Sequence, residues 1–310
     1  MTALLSCPKC HAGLEWGASW IRCCGCKLSF PIVDGIPVMR LEEDVSVGDG
    51  GADDGAHKLG QAAYYDHAPA SEFEISRPHG TPRLYQWLIS EKLRRSVAGI
   101  DALTPGWTAL TVCGGSGMDA EFLAQRGCRV ISSDISLGAA RRAQKRALIY
   151  GFEILPIVAD AEHLPFKERT VDLVYVHDGL HHLSEPARGL EEMARIARRA
   201  VSITEPARAA ATAVAIRLGI SDEVEDAGNR VARLKPNDTC AALSSLGFGV
   251  LRSRRYAMYY PHEPGPGFRK LSGPALLPLV KAAWKMLDLT VGRRIGNKLS
   301  IVALREGYPH

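Results

Sequence analysis

From about position 107 onward, the chain alternates between short apolar runs and longer stretches in which apolar residues recur every three or four positions. The short runs predict buried strands, and the longer stretches predict helices that bury one face. The predicted strands are 107–113, 129–133, 154–158, 171–176 and 200–204, followed by antiparallel strands at 254–260 and 298–304. The predicted helices between them are 118–124, 138–150 and 190–198. The pattern therefore predicts an α/β fold on a doubly wound, seven-stranded sheet, with ligands at the carboxyl ends of its strands.

Four of the eight cysteines form two Cys-x2-Cys pairs near the start of the chain, Cys7 with Cys10 and Cys23 with Cys26. Two such pairs, twelve residues apart, supply four thiolates in the tetrahedral arrangement that suits Zn2+. Their clustering does not fit a secreted disulfide framework, which spreads its cysteines through the fold. Free thiols or a redox pair are the alternative. Four thiolates leave no open coordination position, so the predicted zinc is structural.

The run Phe30–Met39, which contains Phe-Pro and Asp-Gly-Ile-Pro-Val, follows the second cysteine pair. With the cysteines it resembles the small zinc-ribbon proteins that activate tRNA and protein methyltransferases, and ribbons fused to bacterial methyltransferases. The resemblance implies a zinc-ribbon domain over 1–43. The following segment, 44–56, is rich in glycine and aspartate without hydrophobic periodicity, which predicts a linker. The remainder, 57–310, is predicted to form the large domain.

A glycine turn, Gly114–Gly117, follows the first predicted strand, and the next two strands end at Asp134 and Asp160. The turn also matches the dinucleotide fingerprint, which is a weak signal alone. Asp119 argues against a dinucleotide, because a carboxylate at the start of the following helix would repel a pyrophosphate.

The stretch from about 109 to 205 resembles the class I S-adenosylmethionine-dependent methyltransferases, particularly their small-molecule subgroup. The resemblance implies a Rossmann-like methyltransferase sheet with S-adenosylmethionine as cofactor. It places the glycine turn at the methionine part of the cofactor, Asp134 at the ribose hydroxyls, and Asp160 with the following backbone at the adenine amino group. The cofactor-binding residues it implies are Cys113, Gly114, Gly115, Gly117, Asp134, Ile135, Asp160, Ala161 and His177. Two positions depart from the family pattern, since Thr111 replaces its usual aspartate and Cys113 its usual glycine.

Three residues after the fourth predicted strand are candidate catalytic groups: Asp178, His181 and His182. The methyl acceptor should lie there, and an imidazole or carboxylate could receive a proton from an acceptor hydroxyl. A structural turn that packs the histidines is the alternative. The segment His177–Leu180 also replaces the motif with which amino-group methyltransferases hold a base nitrogen, which disfavours exocyclic base amines as acceptors.

Segments outside the predicted strands should build the acceptor pocket. Two lid segments are predicted at 57–100 and 207–236, and an insertion at 261–296. The candidate substrate-binding residues are Tyr64, Tyr65, Arg77 and Tyr256. Within the insertion, an apolar helix carries two lysines four residues apart. It either packs on the core with a basic outer side or lies on a membrane surface.

Composition and charge limit the function classes. With 46% hydrophobic and 23% charged residues the chain is typical of a globular protein, and no apolar run reaches the roughly 18–20 residues of a spanning helix. The first residues lack the features of a secretory signal, which predicts a cytoplasmic location. The net charge of +4 is uneven, because 1–54 carries −4 and 251–310 carries +8.

Three functions remain open. The favoured one is a methyltransferase for a small-molecule, lipid-linked or glycan-linked acceptor, with oxygen as the acceptor atom. The second is an RNA methyltransferase that docks RNA through the ribbon and the basic C-terminal region, although the acidic ribbon disfavours phosphate contact. The third is a non-catalytic zinc-ribbon scaffold. Peripheral membrane contact and the oligomeric state are left open.

Overall fold

The computed structural model describes residues 1–41, 51–66, 71–207 and 234–307. The predicted lid segment 207–236 falls almost entirely outside these ranges, as does 44–50 of the predicted linker. The last part of that linker, 51–56, is the beginning of a helix, so the linker prediction is wrong there.

The N-terminal part of the chain forms a small antiparallel sheet. A 3-10 turn at Thr2–Leu4 precedes four strands in the order β1-β2-β3-β4: β1 (Leu14–Trp16), β2 (Trp20–Cys23), β3 (Ser29–Val33) and β4 (Ile36–Pro37). Asp34 and Gly35 connect β3 to β4, both with positive φ (53° and 76°). Positive φ at both central residues is the requirement of the tightest hairpin turn, which Asp-Gly meets at little steric cost. We call residues 1–41 the cysteine module.

The large sheet has seven strands, as predicted. They are β5 (Thr108–Val112), β6 (Arg129–Asp134), β7 (Ile154–Val158), β8 (Val171–His177), β9 (Ala197–Pro206), β10 (Phe248–Tyr256) and β11 (Lys298–Arg305). Their order is β10-β11-β9-β8-β5-β6-β7, with β5 to β9 parallel and β10 and β11 antiparallel. Strands β5 and β8 are buried at every position, which explains why apolar residues predominate on both of their faces. The strand order reverses between these two, and ligands bind at such a switch point.

Helices pack on both faces of this sheet. They are α1 (Gly51–Asp66), α2 (Ser71–Ser76), α3 (Arg83–Ser96), α4 (Met118–Ala124), α5 (Leu137–Tyr150), α6 (Pro186–Ile196), α7 (Pro236–Ser245), α8 (Pro266–Leu271), α9 (Leu276–Leu287) and α10 (Arg293–Ile295), with a π-helical turn at Asp288–Gly292. Neighbouring residues of β5 face opposite sides: Leu110 joins a core with Met193 of α6, and Ala109 joins a core with Leu123 of α4. In the described ranges, none of the helices combines the length and apolarity needed to cross a bilayer.

One predicted strand is placed wrongly. The strand predicted at 254–260 begins and ends earlier, because β10 pairs with β11 from Phe248 opposite Arg305 to Tyr256 opposite Lys298. Residues 257–260 leave the sheet after that pairing ends. The segment predicted as the end of an edge strand is therefore a loop that crosses the carboxyl end of the sheet.

The cysteine module packs against the free edge of the large sheet. The amide of Met39 donates to the carbonyl of Val158 (2.7 Å), and the amide of Ser6 donates to that of Pro165 (3.0 Å). Leu5 and Met39 are buried in the same core as the sheet residues. The module therefore covers β7, which would otherwise present unpaired backbone groups.

Candidate active site

A cavity of about 790 Å³ opens at the carboxyl ends of β5 to β8, beneath α1 and the loops that follow α2 and β10. Most of the predicted site residues line it: Tyr64, Tyr65, Arg77, Cys113, Gly114, Gly115, Asp134, Ile135, Asp160, Ala161, His177, Asp178 and His182. Three do not, namely Gly117, His181 and Tyr256. The cavity thus brings the predicted cofactor and acceptor residues together at the switch point.

The glycine turn keeps the backbone open to the cavity. A Cβ atom on Gly115, which has φ +52°, would meet no atom within 4 Å, so the space in front of this residue is free for a ligand. A Cβ on Gly114 would lie 2.5 Å from the hydroxyl of Ser132, so no larger residue fits there. Gly117 has φ +83° and packs on Ala143 of α5, which makes its position structural.

The two departures from the family pattern both lie beside this turn. Cys113 adopts the left-handed conformation with φ 52°, which costs a residue with a side chain about 1 kcal/mol and which glycine adopts freely. Thr111 is buried and donates its hydroxyl hydrogen to Ser132 (3.1 Å). No carboxylate stands at position 111, as the sequence indicates.

Asp134 ends β6 and its carboxylate braces the glycine turn. It accepts hydrogen bonds from the amides of Gly115 (2.9 Å) and Ser136 (3.0 Å). Burial raises the pKa of this carboxyl, and the two amide hydrogen bonds oppose that rise. The carboxylate lines the cavity beside Ile135 with lone pairs left for a ligand.

The carboxylate of Asp160, after β7, is paired with a lysine from a distant helix that was not predicted as a site residue. Lys58 of α1 contacts Asp160 (3.1 Å) and Glu162 (2.6 Å). Burial opposes ionisation of Asp160, but hydrogen bonds from His163 and the amide of Glu162, together with Lys58, outweigh burial and lower its pKa. Lys58 thus neutralises part of the acidic end of the cavity.

His177, the last residue of β8, is held by Asp119 in the first turn of α4. The ring atom Nδ1 lies 2.8 Å from Asp119 Oδ1, and both side chains are buried. From the sequence, Asp119 was expected only to repel phosphates. The structure makes it the partner of the cavity-lining imidazole.

Asp178 follows at once, with φ 52°, and lies between two lysines. Lys298 of β11 contacts both carboxylate oxygens (2.9 Å each), and Lys92 of α3 contacts one of them. Lys92, whose side chain is 2% exposed, also donates to the hydroxyl of Tyr260 (2.6 Å). Burial alone would raise the pKa of Asp178, but Lys298 and Lys92 outweigh burial and hold it well below its usual range. An acid so fully ionised is a weak proton acceptor.

The two adjacent histidines have different surroundings. His181 is 3% exposed and its Nδ1 lies 2.6 Å from Glu205, whose other oxygen accepts from the amides of Gly179 and Leu180 (2.8 Å each). His181 therefore belongs to a buried turn, and its position contradicts the prediction of a catalytic role. His182 does line the cavity, where its ring meets Tyr65 edge-on (centroids 5.9 Å apart).

Like the two histidines, the predicted substrate-binding residues include some that line the cavity and one that is buried away from it. Tyr64, Tyr65 and Arg77 line the cavity, and Arg77 is paired with Glu74 (3.2 Å). Tyr256 is fully buried under the guanidinium of Arg95, so the prediction of substrate contact is wrong. Tyr256 is the last residue of β10, which ends earlier than predicted, and it is buried there. The loop that follows β10 places Tyr260 at the cavity.

Sequence reasoning missed the cavity-lining groups of distant segments: Lys58, Glu74, Lys92, Met258, Tyr260, Asn297 and Lys298. One of these residues, Lys92, could have been recognised from the sequence. Lys92 continues the i, i+4 spacing of Leu84 and Leu88 on the buried face of α3. A lysine on an apolar helix face is rarely buried without a partner and indicates one inside the fold.

The four cysteines of the two pairs converge in the cysteine module. Their sulfur atoms all lie within 4.8 Å of one another, with Cys7 to Cys26 at 3.5 Å and Cys10 to Cys23 at 3.4 Å. None of the four is in a disulfide. The arrangement offers four sulfur donors to one metal ion.

Comparison with known proteins agrees with this geometry. A family model described as a methyltransferase domain matches residues 110–203, which include the glycine turn, Asp134, Asp160 and His177. This segment, which runs from β5 to β9, is similar to that family.

The curated relatives include two proteins named demethylmenaquinone methyltransferase. The one from Thermobifida fusca (strain YX) is 34% identical over 104 residues, which are 33% of this chain and 44% of that protein. The one from Corynebacterium urealyticum is 35% identical over 96 residues, 31% of this chain and 39% of that protein. The chain thus matches less than half the length of these relatives.

Solved structures agree on the fold. The magnesium protoporphyrin IX methyltransferase of Synechocystis PCC 6803 with bound SAH has a TM-score of 0.53 at 18% identity, over 81% of this chain and all of that one. The [4+2]-cyclase SpnF has a TM-score of 0.50 at 18% identity, over 80% and 95% of the two chains. Because a cyclase shares the fold, the reaction has to be argued from the site.

Proposed function

We propose that the protein is an S-adenosylmethionine-dependent methyltransferase that acts on a small molecule. The observation that carries the proposal is the open glycine turn at the switch point, with Asp134 and Asp160 at the ends of the next two strands. This set suits a ligand that offers hydroxyls, an amino group and a positive charge. When bound, S-adenosylmethionine supplies an electrophilic methyl group.

The residues present fit that cofactor. Asp134 would accept hydrogen bonds from ribose hydroxyls, and Gly114 and Gly115 would allow the methionine part to approach the backbone. Asp160 and Ala161 would hold the adenine amino group, with Asp160 shared between that group and Lys58. The other cofactor contacts predicted from the sequence that line the cavity are Cys113, Ile135 and His177.

We take oxygen as the acceptor atom because the far end of the cavity is lined by groups that bind or deprotonate hydroxyls. His177, Asp178 and His182 lie there with the lysine pair and Tyr260. RNA remains the less favoured alternative, since part of the basic C-terminal region is neutralised within the fold: Asp288 contacts Arg95 (2.9 Å) and Arg254 (2.7 Å). A cytoplasmic location stays a prediction.

Binding of S-adenosylhomocysteine, measured by calorimetry, tests the cofactor assignment. Wild-type protein should bind it, and Asp134→Ala should weaken binding at least tenfold, because each lost hydrogen bond to a charged group is worth about 1.5–3 kcal/mol. The matched control is Asp101→Ala, at an exposed aspartate outside the cavity. If the wild-type protein does not bind S-adenosylhomocysteine, the methyltransferase proposal fails and the non-catalytic scaffold remains as the function.

For the cysteine module we propose a structural Zn2+ held by Cys7, Cys10, Cys23 and Cys26. The close approach of the four sulfur atoms supports it, and four thiolates leave no position for a substrate. Metal analysis of the purified protein should give one zinc per chain. A zinc content near zero, with all four thiols titratable, would exclude the site.

An exposed apolar and basic region favours an acceptor taken from a membrane surface. Leu279 and Met286 of α9 are 65% and 68% exposed, and Leu289 after it is 57% exposed. Among them stand exposed cations, Lys285 and Arg293. Apolar side chains between cations match the surface of an anionic bilayer.

Co-sedimentation with vesicles tests this surface. Vesicles containing phosphatidylglycerol should retain the protein, and phosphatidylcholine vesicles should retain less of it. The double variant Leu279→Ser with Met286→Ser should lower the bound fraction. Leu148→Ser is the matched control, because Leu148 of α5 is 81% exposed and lies outside this region. Equal retention by both vesicle types, unchanged in the double variant, would exclude it.

A further inference from the structure

The Asp119–His177 pair has a free end in the cavity. Nδ1 of His177 is bonded to Asp119, while Nε2 is buried and has no hydrogen-bond partner among the described residues. The nearby oxygen Asp178 Oδ2 lies 3.9 Å from Nε2, which is beyond hydrogen-bond distance. A buried polar atom that lines a cavity and lacks a partner indicates a ligand group that completes it.

The carboxylate of Asp119 determines which ring nitrogen can accept a proton. A carboxylate only accepts hydrogen bonds, so the hydrogen of the neutral ring lies on Nδ1. Nε2 then carries the lone pair and faces the cavity as an acceptor. A carboxylate that fixes the tautomer of an imidazole in this way is the arrangement of a general base.

The two nitrogens of the His177 ring have neighbours of opposite charge. Lys92 and Lys298 share the single carboxylate of Asp178 near Nε2, while the carboxylate of Asp119, which balances the remaining positive charge, lies at Nδ1. The other ionic pair of this end, Glu74 with Arg77, is neutral overall. His262 also contacts Glu74 (3.2 Å). A negative charge that develops beside Nε2 would therefore be stabilised, and a cationic amine would be repelled.

Cys113 and Asp178 both adopt left-handed backbone conformations, with φ 52° each, directly after the two strands that flank the switch point. Such conformations in residues with side chains are kept where the surrounding structure requires them, often at functional sites. Here the turn at Asp178 brings its carboxylate under the two lysines immediately after His177.

We infer that His177 is the catalytic base of the proposed methyl transfer, that Asp119 positions it, and that the acceptor is a phenol or enol. The inference rests on the proposed function. The hydroxyl proton moves to Nε2 of His177 while the oxygen lone pair forms a bond to the methyl carbon. The carbon–sulfur bond of the cofactor breaks and its electron pair stays on sulfur. The imidazolium then releases its proton to water.

The acceptor class follows from the strength of the base. Proton transfer is most efficient when donor and acceptor have similar acidity, and phenols and enols are far closer to imidazole than alkyl alcohols are. The lysine pair stabilises the oxyanion that such a hydroxyl forms.

The test uses 4-nitrophenol, whose phenolate absorbs where the neutral phenol does not. At a pH below its pKa in solution, the wild-type protein with S-adenosylhomocysteine present should bind it with a phenolate band. His177→Gln and Lys298→Met should each raise the apparent dissociation constant of the phenolate on the order of tenfold, the effect of one pKa unit. His79→Gln is the matched control. His79 also pairs with an acid of α4, Glu121 (2.8 Å), but does not line the cavity, so the band should not change.

A second readout addresses Asp119. Nitrogen-15 spectra of the neutral wild-type ring should show the hydrogen on Nδ1 of His177. Asp119→Ala, which lacks an acceptor, should remove that preference, and Asp119→Glu, which keeps a carboxylate, should retain it. A structural role alone for Asp119 would leave the tautomer unchanged.

These outcomes separate this inference from the proposed function. If S-adenosylhomocysteine binds but no phenolate band forms, or if the band survives in His177→Gln, the inference is overturned and the methyltransferase proposal stands. If S-adenosylhomocysteine does not bind, the methyltransferase proposal fails first.

Discussion

The four cysteines of the cysteine module and the acceptor end of the cavity are both clusters of side chains that could bind a ligand, but the chain assembles them differently. The four cysteines lie within 20 residues of one another, in two turns. Lys92, Asp178, Tyr260 and Lys298 come from a helix, a strand end, a loop and the last strand. The first cluster is a local motif, and the second exists only once the sheet has formed. Spacing in the sequence therefore predicts one and hardly indicates the other.

The largest expected effect is on the cysteine cluster. Cys23→Ser should abolish zinc binding and lower the unfolding free energy by about 4 kcal/mol, the stabilisation by a ligand present at about 1,000 times its dissociation constant. Chelation of the wild type should have the same effect. Thermal unfolding measures both. Cys24→Ser, at the exposed neighbouring cysteine, should change nothing. Equal melting temperatures of Cys23→Ser and Cys24→Ser would mean that the cysteine cluster adds no stability, and the contrast with the acceptor end would be lost.

The second largest expected effect is a loss of stability at the acceptor end of the cavity. Asp178→Asn leaves the buried ammonium of Lys92 beside that of Lys298 without a carboxylate, and should destabilise the fold by about 3 kcal/mol. Urea unfolding at neutral pH measures the loss, with exposed Asp101→Asn as the control. A loss no larger than that of the control would mean that the lysines find other partners.

The pH dependence of that loss follows from the lowered pKa of Asp178. Because its pKa is lower in the folded than in the unfolded chain, the ionised carboxylate stabilises the fold fully above the unfolded value of about 3.9. This contribution disappears as the pH falls through the folded-state pKa. The difference between wild type and Asp178→Asn should therefore be constant near neutrality and shrink below about pH 4.

The smallest expected effect concerns Cys113, whose strained backbone lies beside the glycine turn. Cys113→Gly should change the unfolding free energy by less than about 0.5 kcal/mol, because relief of the left-handed strain is offset by the greater freedom of glycine in the unfolded chain. Cys240→Gly, within helix α7, should lose about 1 kcal/mol, from the helix penalty of glycine together with the lost contact of the side chain with the core. Equal losses at both positions would contradict strain at Cys113.

Features set by local sequence could be predicted, and features that depend on distant segments could not. The central strands were predictable because β5 and β8 are buried on both faces and form runs of mostly apolar residues. Asp134 and Asp160 were predictable as cavity residues because each stands just after such a run. The end of β10 was not, since it depends on register with β11. Tyr256, predicted at the substrate, is the last residue of that strand, and Tyr260 in the loop beyond it lines the cavity.

His181 and His182 show a further limit. Adjacent residues of one type cannot be assigned from sequence when a distant side chain selects between them. Here Glu205, at the end of β9, draws His181 into the core and leaves His182 at the cavity. Asp119 was noticed in the sequence, but its partnership with His177 needed the packing of α4 against the strand ends.

The position of the cysteine module on β7 bears on how the protein behaves when shortened. The module pairs with Val158 through Met39 and covers the outermost strand of the parallel sheet. A chain that lacks 1–41 would expose that strand's unpaired amides and carbonyls together with apolar residues such as Phe166 that contact Leu5. Such an edge can recruit a second molecule by strand addition. Truncation would then yield self-associating protein, because the module is the cover of this edge.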